Sequence, residues 1–261
     1  MFTQGIALLA CLLLSSTAVL AASPPTLSLK PPKPPASPNT WSLSVGVKPW
    51  LAEWRTASPD GSFRSRLGTM YGPAAILRYG RAFTGVTYLR GAFPVPLSSA
   101  TNASSVDAET TRIDTDFTAG YYVTPYLGLI AGYKYVDFTV TVPTRPGLLG
   151  ATYAGSIYET RITGPFGGVL ASYSLGRTGF ALYGAFTYSV LTRTSRFRQN
   201  TTDVEGTAPF WGPSAEIGLA YRVPRKSITF TQGYKFQRFE DTDAQTSDTF
   251  QGFLLSTTYT F

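Results

Sequence analysis

From Trp41 onward, apolar residues recur at every second position, which is the period of a β-strand, and no stretch sustains the period of a helix. The pattern is plainest in the last segment. There Phe253, Leu255, Thr257, Tyr259 and Phe261 make a mostly apolar face, and Leu254, Ser256, Thr258 and Thr260 a largely polar one. Ile228, Phe230, Tyr234 and Phe236 contrast in the same way with Thr229, Thr231, Gly233, Lys235 and Gln237. Followed along the chain, the alternation predicts ten strands. The first five are Thr40 to Arg55, Tyr71 to Gly80, Phe83 to Phe93, Thr110 to Val123 and Leu127 to Val140. The other five are Glu159 to Leu175, Gly179 to Leu191, Ala208 to Arg222, Ser227 to Glu240 and Ser247 to Phe261.

The connections carry as much information as the strands. Short ones at Gly80-Arg81, Thr124-Pro125, Gly176-Arg177 and Pro224-Arg225 alternate with long ones at 56–70, 94–109, 141–158, 192–207 and 241–246. Short turns at one end and long loops at the other, with an even number of strands, are the layout of a bacterial outer-membrane barrel. The predicted fold is therefore all-β, an antiparallel transmembrane up-and-down β-barrel of about ten strands. A soluble sandwich would also alternate, so the position of charge within the strands matters. In a membrane barrel, charges belong on the face opposite the apolar one. Arg112, Asp114 and Asp116 alternate with Ile113, Thr115 and Phe117; Lys134 lies between Tyr133 and Tyr135, and Glu216 between Ala215 and Ile217. With Arg161 and Lys235 these are the candidate lumen charges. Tyr121, Tyr122, Tyr126, Tyr133, Tyr135 and Trp211, near strand ends, are candidates for interfacial girdles.

The ends of the chain divide differently. Ile6 to Leu14 is an apolar run followed by small residues through Ala21, so residues 1–21 read as a signal peptide. Leu8-Leu9-Ala10-Cys11 has the look of a lipidation motif, but the apolar run continues past Cys11, which fits ordinary signal cleavage better. Residues 22–39, dense in proline, read as an extended periplasmic linker, and 40–261 as the barrel.

Composition narrows the function. Cys11 is the single cysteine and histidine is absent, which removes the commonest catalytic bases, metal ligands and nucleophiles, so no catalytic, metal or cofactor site is expected. Asp114, Asp116 and Glu216 offer acid/base chemistry in principle, but compensation by Arg112, Lys134, Arg161 and Lys235 is the simpler expectation. The net charge of +7 is spread along the chain without a basic cluster, so no nucleic-acid partner is expected.

The final segment, FLLSTTYTF, resembles the last strand of bacterial outer-membrane proteins, with Phe253, Leu255, Tyr259 and Phe261 at the matching positions and Thr257 departing from the pattern. The resemblance implies the barrel-assembly machinery as a partner during biogenesis and placement in the outer membrane among its lipids and lipopolysaccharide. Arg193, Arg196 and Arg198, around Phe197, are the candidate lipopolysaccharide contacts. About ten strands lie nearer the size at which side chains fill a barrel than the size of an open porin. The expected role is structural or surface-binding, with a narrow channel for ions or small solutes as the alternative. Oligomeric state is left open.

Overall fold

The structure is a computed structural model that describes residues 40–59, 61–99, 102–142, 155–199, 201–241 and 245–261. The signal and linker segments, 1–39, lie outside the described residues.

Among the described residues, fourteen antiparallel segments are joined in one hydrogen-bonded order. They are β1 (Trp41–Val47), β2 (Trp50–Ser58), β3 (Gly61–Arg64), β4 (Gly68–Tyr71), β5 (Pro73–Tyr79), β6 (Ala82–Ala92), β7 (Val95–Ser99), β8 (Asn102–Tyr122), β9 (Leu127–Thr141), β10 (Ile157–Ser174), β11 (Phe180–Gln199), β12 (Thr202–Arg222), β13 (Ile228–Asp241) and β14 (Thr246–Thr260). Proline explains two of the divisions, because it cannot donate to a ladder. Pro49 separates β1 from β2, yet both pair with β14 and act as one ring strand. Pro73 likewise follows the break between β4 and β5, which both pair with β6. The segments β3 and β7 are arms on β2 and β8, leaving a ring of about ten strands. The β2–β14 and β1–β14 pairings close it.

Most predicted boundaries lie close to the observed ones, with a consistent exception. The predicted loops 94–109 and 192–207 are largely strand, because β8, β11 and β12 run on to 21, 20 and 21 residues. A tilted strand needs only about 9–11 residues to cross a bilayer. These arms therefore extend beyond the membrane by roughly ten residues, on the order of 30 Å at ~3.3 Å per residue.

Outward positions form an apolar belt. Val45, Leu77, Val86, Phe117, Leu129, Val169, Phe186, Ile217, Phe230 and Leu255 are all exposed. In water such a belt would be a large unsatisfied patch, whereas in lipid it is the contact surface. Aromatic pairs edge the belt at the short-turn end: Trp41 with Tyr79, Tyr126 with Tyr173, Phe180 with Tyr221, and Tyr259 with Phe261. Of the expected girdle residues, Tyr121 and Tyr133 are exposed on the outward face, but Tyr122 turns inward against Phe83 and Arg78. Tyr122 has the parity of buried Arg112 and Asp114, and one position along a strand reverses the face.

The belt makes a direct prediction. Ile217→Arg, at a residue 68% exposed, should destabilise the barrel in vesicles by about 2–4 kcal/mol if the position lies near mid-bilayer. Urea titration of the refolded protein measures this. An unchanged transition would mean that the outer face does not meet lipid.

Candidate functional site

The interior has two layers. Toward the long hairpins it is apolar and dry: Trp50, Trp54, Met70, Leu89, Phe93, Phe138, Phe210, Phe239, Phe250 and Leu254 are all buried. Phe250 occupies the middle of the layer, with ring centroids 5.4 Å from Phe138, 5.7 Å from Trp54 and 6.3 Å from Phe93. Arg112 crosses the same space. Its guanidinium lies 3.7 Å from the Phe250 ring centre and 4.9 Å from that of Phe138. It donates to both Asp114 carboxylate oxygens, at 2.5 and 2.6 Å, and to the Gln237 side-chain oxygen from across the barrel at 3.2 Å. Arg112 is 0% and Asp114 2% exposed, so this fork-to-fork pair is held inside a cage of aromatic rings.

Below that plug, toward the short turns, the lining becomes more polar, with hydroxyl groups set among the inward rings of Phe83, Tyr122 and Phe166. Ser44 bonds Thr260, and Thr231 bonds Ser256 across neighbouring strands. Between the plug and this lining is a chamber of about 160 Å³ whose walls include Lys48, Asp116, Lys134, Glu216, Lys235 and Gln237. Lys134 donates to Asp116, and Lys48 to Glu216 at 3.5 Å. Neighbouring strands align the members: Asp116 is the register partner of Lys134, and Glu216 of Lys235.

Six of the seven candidate lumen charges, Arg112, Asp114, Asp116, Lys134, Glu216 and Lys235, thus lie inside the ring, divided between the plug and the chamber. Arg161 does not. It is on the outer wall with a side chain 62% exposed, 3.6 Å from Asp137 and over the Tyr135 ring. Its strand neighbours Thr160 and Ile162 are the inward, buried residues.

The three arginines of the surface segment separate in the same way. Arg193 points inward, donates to Asp241 at 2.8 Å and lies over Phe210, so it is not placed to meet lipopolysaccharide. Arg196 and Arg198 are on the outer side of the β10–β11–β12 arms, where Arg196 binds Asp203 and Arg198 binds Glu159. The Arg196 guanidinium holds the Asp203 carboxyl below the usual carboxylate range through that hydrogen bond. A second cationic group went unread in the sequence. Arg238, Thr249, Arg55 and Arg64 are successive register partners across β13, β14, β2 and β3, beside a groove of about 480 Å³ on the outer wall. Glu53 accepts from Arg64 and pairs with Arg55, and Glu240 pairs with Arg238. Their separation in sequence hid them; only strand register brings them together. Lys48 was also missed, although its alternation with Val45 and Val47 already puts it on the polar face.

Phe253, Leu255, Tyr259 and Phe261 all face outward on β14 and beyond its end, at 54, 44, 46 and 71% exposure. Among the described residues, no group of acidic, cysteine or histidine side chains is arranged to hold a metal ion.

No family model and no curated protein matches the chain. Solved structures do. The outer membrane protease OmpT from Escherichia coli aligns with a TM-score of 0.54 at 12% identity, over 86% of this chain and 98% of that one. This is a bacterial outer-membrane β-barrel fold. Neisserial surface protein A aligns at a TM-score of 0.39 and 10% identity, over 84% and 97% of the two chains. Ail, the attachment invasion locus protein of Yersinia pestis, aligns at 0.38 and 10%, over 84% and 99%. At these identities the likeness is one of fold, and activity must be argued from this chain's own interior and surface.

Proposed function

We propose that this protein is a closed outer-membrane barrel that works through the arms standing above the membrane, and that it does not pass solutes. The observation that carries this reading is the plug. A continuous passage would have to cross Arg112 with Asp114 and the Trp54, Phe138 and Phe250 rings, all at most 8% exposed. An enzymatic role has little support from the interior carboxylates. Among the described interior carboxylates, Asp114 is engaged by Arg112, Asp116 by Lys134, Glu216 by Lys48 and Asp241 by Arg193, and Asp248 accepts hydrogen bonds from Trp54 and Thr56, so each already has a structural partner.

The extended β8 and β10–β12 arms supply a surface for partners outside the cell. Lipopolysaccharide phosphates would meet the Arg238–Arg55–Arg64 row at the upper edge of the belt, with Arg196 and Arg198 farther out. The outward aromatic pattern of Phe253, Leu255, Tyr259 and Phe261 is the feature offered to the barrel-assembly machinery, and residues 1–39 comprise the signal and linker that deliver the chain to it.

Proteoliposome swelling tests the closed reading. Vesicles carrying the refolded barrel should swell in arabinose no faster than empty vesicles. Swelling that increases with the amount of folded protein would instead favour the narrow channel.

A further inference from the structure

We propose that the chamber beneath the plug is a binding site for a small oxyanion, a carboxylate or phosphate, with Lys235 as its principal ligand. Lys235 is 93% buried, lines the chamber, and carries the only chamber ammonium that no described hydrogen bond or ion pair reaches. The two carboxylates nearby are already committed, Asp116 to Lys134 and Glu216 to Lys48. Lys235 has the Trp50 ring 4.9 Å away, which stabilises a cation but does not neutralise it. Asp116 and Glu216 also attract Lys235 through space, but three lysines share these two carboxylates, and the net positive charge left in a restricted lining favours an anion.

A second observation points the same way. The Gln237 side-chain nitrogen is buried with no hydrogen-bond partner, and Gln237 lines the same chamber. Its oxygen is taken by Arg112, so the nitrogen is the end of the amide left without a partner. Ser214 and Thr187, also in the lining, add hydroxyl groups. An ammonium, an amide N–H and hydroxyls around about 160 Å³ suit a small oxyanion and exclude a bulky one. The chamber lies on the short-turn side of the plug, so a ligand would approach it from the periplasm. The site does not depend on what the surface arms bind.

The test uses the refolded full chain in detergent micelles, titrated separately with inorganic phosphate and with carbon-13-labelled acetate, and followed by NMR line broadening. At least one of the two should show saturable binding at one site per barrel. Lys235→Met should weaken it at least about tenfold, the scale of a lost charge-assisted hydrogen bond. Lys235→Arg, which keeps the charge, should retain binding, as should Lys226→Met in the exposed β12–β13 turn. Strand content and heat-modifiable migration confirm that each variant is folded. Absence of saturable binding for both anions would overturn the proposal, as would equal weakening by K235M and K226M, which would indicate only a diffuse positive field.

Discussion

Arg112→Ala should destabilise the barrel by about 3–5 kcal/mol, the usual cost of removing one partner from a buried ion pair. The expected loss comes mainly from Asp114, which is 2% exposed and would be left buried without its two-pronged donor. The guanidinium also fills space against Phe250 and Phe138, so an alanine leaves a cavity where the rings now meet a planar cation. Replacing both members, as in Arg112→Leu with Asp114→Leu, should recover most of the loss, because well-packed apolar pairs commonly equal buried ion pairs in stability. Urea unfolding in vesicles measures all three proteins. A single-variant loss below about 1 kcal/mol would mean that the pair is solvated, contrary to the dry plug.

The second large effect concerns permeability. Phe138→Ala combined with Phe250→Ala removes two of the rings that close the interior, including the one that touches Arg112, Trp54 and Phe93. Each truncation should cost about 3–5 kcal/mol as a large-to-small change in a packed core. The space left continues the chamber below, whose inner face already carries lysines, carboxylates and hydroxyls. Water should enter, and the folded double variant should conduct ions that the native barrel blocks. If it stays silent, Arg112 with the remaining Trp54, Phe210 and Phe239 is a sufficient seal by itself.

The ring of strands was legible because lipid imposes a simple rule on the membrane-spanning part of the barrel: apolar outside, polar inside. Lys134, Glu216 and Lys235 obey it, and their faces follow directly from Tyr133, Ile217 and Tyr234. The rule reverses above the belt. There the outer wall meets water and the interior is a hydrophobic core, so Ile162, Phe210 and Phe239 point inward and Arg161 outward. A reading that treats every strand charge as interior misplaces Arg161 for this reason. Arg193 shows the converse error. It lies in a stretch read as loop, but β11 continues as regular strand and its alternation turns Arg193 in toward Asp241. The plug was illegible because its rings come from β2, β9, β12, β13 and β14 and the loop after β6, and only closure of the ring brings them together. Charge partners such as Lys48 with Glu216, 168 residues apart, likewise depend on closure of the ring.

Single-channel recording in a planar lipid bilayer tests the central claim most directly, with the refolded native chain compared with the Phe138→Ala/Phe250→Ala variant and a protein-free membrane. The account predicts a silent native barrel, shown by heat-modifiable migration to be folded and inserted, and discrete conductance steps from the variant. Reproducible steps from the native protein would contradict the closed interior.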